Sequence, residues 1–99
     1  MNPAKVVRER VRLLTDLPNI GRAMAGDLQR LGIAKPEQLK GRDPYVLYQE
    51  LSMATWLRQD PCVLDTFISI TRFMDGDEAR PWWAYTAERK AAMQQRLEH

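Results

Sequence analysis

The chain has 99 residues, of which 44% are hydrophobic and 28% are charged, which suits one globular domain with a single modest core. No apolar run approaches the roughly 20 residues of a membrane-spanning helix, and a net charge of +2 is too small to identify a nucleic-acid coat. Charges interrupt the apolar positions of residues 1–14, so we expect no secretory leader. We predict one cytoplasmic domain over residues 1–97.

Two residue counts restrict the chemistry. Cys62 is the only cysteine, which excludes an internal disulfide and a multi-thiolate metal cluster. His99 is the only histidine, and the ending Leu97-Glu98-His99 is typical of the start of a purification tag, so residues 98–99 are set aside as a tag remnant. Without a native histidine, a nucleophile and its base are hard to assemble. We expect no enzymatic activity, no cofactor and no metal site.

The first predicted element is a helix from Pro3 to about Leu14. Asn2 and Pro3 are typical of an N-cap followed by proline at the first helical position, and Val7, Val11 and Leu14 share one helical face. Basic residues crowd this quarter of the chain, namely Lys5, Arg8, Arg10, Arg12 and Arg22. They suit a polyanionic partner, and equally a solvated helix face.

The stretch LPNIGRAMAGDLQRLGI, residues 17–33, predicts a tight turn followed by a helix. Leu17 and Ile20 bracket the turn, and Gly21 supplies backbone without a Cβ. Gly32 ends the helix as its C′ residue. Apolar residues recur at helical spacing between these glycines, at Met24, Ala25, Leu28 and Leu31. With the preceding segment, the predicted order is helix, short hairpin, helix.

A short helical turn over residues 35–39 and another helix follow. Asp43 and Pro44 predict the start of this helix, because the carboxylate caps the first turn and proline lacks only an N–H that would be unpaired there. We expect the helix to run to about Arg58, with Trp56 packed near its end. The face toward the core is predicted to be Leu47, Tyr48, Leu51, Ala54 and Leu57. These elements would form a second, degenerate hairpin, related to the first by a pseudo-twofold axis.

Two more helices complete the predicted fold. Pro61, preceded by Asp60, opens the strongly apolar segment VLDTFISITRFM, which we expect to be the central core helix. A polar loop and an irregular segment over residues 80–85 follow, and Thr86 is predicted to cap a last short helix to about Arg96. No strand pattern occurs in the sequence, so we predict an all-α fold.

The motif LPNIG, with Arg22 and the terminal LGI, resembles the helix-hairpin-helix signature of many DNA-handling proteins. The later segments DPYVLYQEL, DPCVLD and RPWWAY are similar to the small bacterial pathogenicity-locus family, some of whose members carry a mitomycin-resistance label. This likeness covers roughly residues 10–86. A weaker likeness, over the part from LPNIG to LGI and the helix after it, is to the C-terminal domain of TfoX-type competence regulators. The resemblance implies a helix-hairpin-helix pair with a degenerate second hairpin, plus a central core helix and a last short helix.

The helix-hairpin-helix resemblance also implies a phosphate-binding turn. In such proteins the hairpin and the following helix start present backbone N–H groups to a DNA phosphate, because a helix N-terminus has unpaired donors and a positive dipole end. Carried onto this chain, the DNA phosphate-binding residues are Asn19, Ile20, Gly21, Arg22 and Ala23. Many such hairpins have glycine where this chain has Asn19, which tolerates a left-handed conformation but is bulkier. The implied binding is weak and reads no base.

Two alternatives stay open at the level of sequence. A turn with Leu17 and Ile20 buried also holds two helices together without any ligand. Trp82, Trp83 and Tyr85 suit stacking on unpaired bases, at about 1–3 kcal/mol per base, and also suit packing in the core or against a partner chain. The predicted function is non-sequence-specific DNA binding, linked by family label to DNA damage or mitomycin resistance. The alternative is a protein-interaction module that docks a partner through the Trp82–Tyr85 segment or a helix face.

Overall fold

Four α-helices make up the fold over residues 5–98, the part of the chain that the computed structural model describes. They are α1 (Arg22–Arg30), α2 (Pro44–Thr55), α3 (Pro61–Met74) and α4 (Thr86–Glu98). Single 3₁₀ turns lie at Arg8–Arg10, Leu14–Asp16, Pro36–Leu39 and Trp82–Tyr85. Residues 5–98 contain no strand, so the predicted all-α class is confirmed. The cap predicted at Asn2 and Pro3, and the tag residue His99, lie outside the described residues.

Helix α3 is the centre of the fold, as its apolar sequence predicts. Every residue from Leu64 to Thr71 is buried, because α2, α4 and the Pro36–Leu39 and Trp82–Tyr85 turns all pack against this helix. Buried side chains from the other elements complete the core, among them Leu17, Ile20, Leu28, Leu47 and Leu51. Burial of an aliphatic side chain of this size stabilises the fold by roughly 1.5–3 kcal/mol.

Four polar side chains of α3 are buried, and each has a hydrogen-bond partner. Thr66 and Thr71 donate to carbonyl oxygens of their own helix, at 3.0 and 2.8 Å. Asp65 and Ser69 instead bind residues of other elements. A buried polar group without a partner costs roughly 1–3 kcal/mol, so these two side chains restrict what lies beside α3.

Asp65 attaches α4 to the core helix. Its fully buried carboxylate accepts a hydrogen bond from Arg89 Nε at 2.9 Å and one from the Thr86 hydroxyl at 2.7 Å. The bond to Asp65 raises the pKa of the Arg89 guanidinium above its ordinary value. Thr86 begins α4, as predicted, but the capping role predicted for it is wrong: its backbone is already helical and its hydroxyl binds Asp65.

The helix predicted from Pro3 to Leu14 is wrong within the described residues, where single 3₁₀ turns replace it. Asp16 gives the physical reason. Its Oδ2 accepts the backbone N–H of Leu13 at 2.8 Å and of Arg12 at 3.0 Å, which a continuous helix would bond to carbonyls four residues earlier. These two bonds, from Leu13 and Arg12 in that order, lower the pKa of Asp16.

Arg8 holds the N-terminal segment against the end of α3. Its guanidinium lies 4.1 Å from the centre of the Phe73 ring, and it donates hydrogen bonds to the carbonyls of Phe73 and Asp77. A cation is favourable there because the C-terminus of a helix carries partial negative charge. Arg8 therefore has a structural role, and the basic N-terminal group available to a polyanion is smaller than the sequence indicates.

Helix α2 ends at Thr55, three residues before the predicted Arg58. Trp56 adopts a left-handed conformation with φ 58°, and the N–H of the next residue bonds back to the Ser52 carbonyl at 3.2 Å. Glycine is the usual residue at this position, as Gly32 is after α1. The left-handed conformation costs a residue with a side chain roughly 1–2 kcal/mol, so Trp56 is held in a strained backbone.

Removal of Arg89 tests the attachment of α4. Arg89→Met leaves the Asp65 carboxylate buried without its cation, so we expect the free energy of unfolding to fall by about 3–5 kcal/mol in urea denaturation. Asp65→Leu combined with Arg89→Met replaces the pair by apolar groups and should recover most of that loss. The control is Arg72→Met, which breaks an exposed ion pair with Glu88 and should cost less than about 1 kcal/mol. Equal losses in the two single variants would contradict this role.

Candidate nucleic-acid interface

The predicted hairpin is a tight turn that leads directly into α1. Leu17 and Ile20 are fully buried, and the Ile20 N–H bonds to the Leu17 carbonyl at 3.4 Å. Asn19 has φ 67°, as expected for the residue after proline in a type II turn. The element before the turn, Leu14–Asp16, is a single 3₁₀ turn. The structure therefore confirms the turn and the helix after it, but does not confirm the helix-hairpin-helix pair.

Asn19 directs its side chain into the protein. Its Nδ2 donates to the Ser69 hydroxyl at 3.0 Å and to the Arg80 carbonyl at 2.8 Å. The Ser69 hydroxyl donates to the same carbonyl, also at 3.0 Å. This triangle joins the turn, α3 and the loop before Trp82. Asn19 is one of the residues that the resemblance carries over as phosphate-binding, and its side chain is bonded within the protein.

The backbone donors at the start of α1 are open. Gly21 is the N-cap residue, with no side chain to bond them, and the helical bonds begin with the Ala25 N–H on the Gly21 carbonyl at 3.0 Å. In residues 5–98, no acceptor bonds the N–H groups of Gly21, Arg22, Ala23 or Met24. The predicted donor on Ile20 is occupied by the turn, so the open set is shifted by one residue toward Met24.

Anionic partners already occupy the N-termini of α2 and α3. Asp43 accepts the Tyr45 N–H at 2.8 Å, and Asp60 accepts the Cys62 N–H at 2.9 Å, so both predicted caps are confirmed. Hydrogen bonds from the Cys62 thiol and N–H lower the pKa of Asp60. The corresponding N-cap residue of α1 is Gly21, which has no carboxylate. Of these three helix starts, that of α1 is the one without a capping carboxylate, and a run of four N–H groups is unbonded there within the described residues.

The fold does not require glycine at position 21. Its φ of −100° is accessible to any residue, and a Cβ added there would have no heavy atom within 4 Å. What the glycine provides is space for a ligand to approach the N–H groups of α1. Arg22 beside it is exposed, so its guanidinium can add a charge-assisted bond to the same anion.

The aromatic segment is divided between surface and core. Tyr85 is 3% exposed and packs with Leu64 and Ile68, so its predicted place on a stacking or partner surface is wrong. Trp82 is half-buried and meets Trp83 edge to face, with ring centres 5.5 Å apart. Trp83 is 62% exposed and is the residue of the predicted group that offers a ring face to solvent.

Sequence reasoning missed a larger apolar surface at the end of α2. Met53, Trp56 and Leu57 are 78%, 93% and 65% exposed, although Trp56 and Leu57 were predicted to pack. Val46 and Met53 lie seven residues apart on the side of α2 that faces away from the core. Trp56 and Leu57 follow directly after the helix ends at Thr55. The spacing of Val46 and Met53 is visible in the sequence and is the signal for an exposed apolar face.

The described residues offer little for catalysis. Within them, no group of three histidine, cysteine or carboxylate side chains is placed to hold a metal ion. Cys62 is half-buried, and its hydrogen bond to Asp60 raises the pKa of the thiol, which disfavours the thiolate. Over residues 5–98, every helix is too short or too polar to cross a membrane. The absence of enzymatic activity stays a prediction.

The sequence matches a protein family and a curated relative. The profile of a family described as "Pathogenicity locus" matches residues 7–91. A curated relative, "Mitomycin resistance protein McrB" of Streptomyces lavendulae, is 49% identical over 77 residues, which cover 78% of this chain and 73% of the relative. No solved structure gives a significant match. The residues that the family profile matches include the turn, the open start of α1 and all of α3.

Substitutions at the triangle test whether Asn19 holds the turn. Asn19→Gly keeps the left-handed conformation but removes two hydrogen bonds, so we expect a loss of about 1–2 kcal/mol in thermal unfolding. Asn19→Ala loses the same bonds and adds strain of roughly 1 kcal/mol, and it should be the less stable variant. Ser69→Ala removes the shared hydroxyl and should resemble Asn19→Gly. Parental stability in both Asn19→Gly and Ser69→Ala would show that the triangle does not hold the turn.

Proposed function

This chain belongs to the pathogenicity-locus family, and we propose that it binds duplex DNA through the phosphate backbone without reading sequence. The observation that carries the proposal is the open start of α1, where the N–H groups from Gly21 to Met24 lack acceptors within the described residues. A phosphate there would accept these bonds and meet the positive end of the helix dipole. Phosphates are alike at every base step, so such contacts give no sequence preference.

The proposed binding is weak because a single turn neutralises few phosphates. The logarithm of the binding constant falls with the logarithm of salt concentration by about 0.9 per phosphate neutralised. For one or two phosphates, a tenfold rise in salt concentration should weaken binding about 8- to 60-fold. We expect no further phosphate contact at the predicted second hairpin, because the Asp43 carboxylate there accepts the Tyr45 N–H and repels an anion.

Arg22→Glu is the direct test of the DNA proposal. Arg22 is exposed at the first position of α1, where an acidic residue suits the helix dipole, so the fold should be intact. Anisotropy of a labelled duplex of about 20 base pairs, titrated at low and near-physiological salt, should show binding by the parent and none by this variant. Arg30→Gln is the matched control at the other end of α1, and it should bind like the parent. Parent protein that fails to bind at low salt would exclude the proposal.

Gly21→Asp should change stability and DNA binding in opposite directions. The new carboxylate would cap the open N–H groups, as Asp43 and Asp60 do in α2 and α3, and raise stability by a few tenths to about 1 kcal/mol. The same carboxylate would take the phosphate's place, so affinity in the anisotropy assay should fall below detection. Thermal unfolding gives the first quantity. A variant that is more stable and still binds DNA would show that phosphate does not sit on these donors.

The name of the Streptomyces relative connects that protein with mitomycin resistance, and we extend the connection to this chain as part of the proposal. A cytoplasmic, non-enzymatic protein that covers DNA phosphates would act at the DNA itself. Survival of cells in mitomycin, with the parent protein and with Arg22→Glu at equal abundance, tests this link. Loss of protection in the variant would support it, whereas equal protection would separate resistance from the α1 site.

A protein-interaction module is the second candidate, favoured by the exposed apolar surface of Met53, Trp56 and Leu57. A strained and fully exposed tryptophan is costly for an isolated domain, and exposed apolar surfaces of this kind mark interaction sites. This function would depend on Trp56 or Trp83 and be indifferent to Arg22. Trp56→Ala and Trp83→Ala, each compared with Arg22→Glu, therefore discriminate between the two candidates in the survival assay.

Trp56→Gly provides the corresponding stability test. Glycine adopts the left-handed conformation freely, and a side chain that is 93% exposed loses little burial, so thermal stability should rise by about 1 kcal/mol. DNA binding by the α1 site should be unchanged. Trp56→Ala removes the same indole without relieving the backbone, and serves as the control that should not gain stability. A loss of stability in Trp56→Gly would show that the indole packs in solution.

A further inference from the structure

A cleft lies between α2 and α4, above the first turns of α3. It has two parts, of about 230 and 170 Å³, and both are lined by Tyr48, Leu64 and Met93. Because they share three lining residues, the two parts are adjacent, and we treat them together as the α2–α4 cleft. No residue of the turn or of α1 lines it, so the cleft is separate from the proposed DNA site and independent of that function.

The charges of the cleft have one sign. Arg96 lines one part, Arg58 and Arg89 line the other, and no carboxylate lines either. The Arg96 guanidinium carbon lies 4.4 Å from the centre of the Tyr45 ring, which holds this charge at the rim. Arg89 binds buried Asp65 through Nε and Nη2, which leaves its Nη1 without a bond in the described residues. Asp65 balances the charge of Arg89, so the uncompensated positive charge comes from Arg58 in one part and from Arg96 in the other.

The middle of the cleft is apolar and partly aromatic. Leu64 forms its buried floor, and Met93 and the Tyr48 ring form its walls. The Tyr48 hydroxyl donates to the Gln59 carbonyl, which fixes the ring in place. Flexible thioether and flat phenol surfaces suit a planar hydrophobic body, with methionine adapting to its edge.

We propose that this cleft binds a small aromatic anion, a one- or two-ring body that carries a phosphate, carboxylate or sulfonate group. The apolar middle takes the ring, and a guanidinium at either end takes the anionic group through charge-assisted bonds. Drug-sized ligands occupy clefts of roughly 300–1,000 Å³, and each part of this cleft is smaller than that range. The size therefore selects a small ring system, and the charge selects an anion.

Isothermal titration with 1-naphthyl phosphate tests the proposal, since this probe joins both features. Inorganic phosphate carries only the anion, and 1-naphthol carries only the ring. We expect the joined probe to bind at least tenfold more tightly than either half. Parent protein that does not bind 1-naphthyl phosphate at millimolar concentration would overturn the proposal, as would equal binding of 1-naphthol.

Two variants locate the binding. Arg96→Gln should lower the affinity for 1-naphthyl phosphate at least fivefold. Gln49→Trp, at an exposed position on the cleft wall, should block entry of the naphthyl ring into the cleft. Arg30→Gln removes an exposed cation far along the chain and is the control expected to bind like the parent. Unchanged affinity in both cleft variants would show adventitious binding and overturn the proposal. Arg22→Glu should bind this probe normally, so failure of the DNA function and failure of the cleft are distinguishable.

Discussion

A helix buried on every side is the constraint on which the rest of this structure depends. Helix α3 contributes Asp65 and Ser69, two polar side chains without access to water, and each needs a partner from another element. Arg89 donates a hydrogen bond to Asp65, which fixes α4. Asn19 donates a hydrogen bond to Ser69, which fixes the turn before α1. The open helix start and the α2–α4 cleft are therefore both positioned by polar groups of one buried helix.

Local signals in the sequence predicted much of the fold. The caps at Asp43 and Asp60, and the left-handed Gly32, depend on residues within two or three positions, so short-range chemistry decides them. The segment before the turn shows the limit of this reasoning. Its apolar spacing favours a helix, but the Asp16 carboxylate accepts two backbone N–H groups that a helix would need. Hydrophobic periodicity takes no account of such side-chain bonds to the backbone.

The candidate site was predictable only in part, because long-range partners decide the rest. Gly21 and Arg22 are exposed where the resemblance implies, since the turn itself is local. The Asn19 side chain points inward because it bonds Ser69, which is 50 residues away in the sequence. No pattern near the turn predicts that contact. Trp56 was misplaced for a related reason: a hydrophobic residue is assumed to pack, and its exposure follows only from where α2 ends.

An amide map of the DNA complex tests the central claim most directly. Backbone ¹H–¹⁵N spectra, recorded while a short duplex is added at low salt, should show the largest shifts at Gly21, Arg22 and Ala23. The amides of Tyr45 and Cys62 should stay unchanged, because aspartate side chains already bond them. Largest shifts around Trp56, with the start of α1 unmoved, would contradict the account and favour the docking surface.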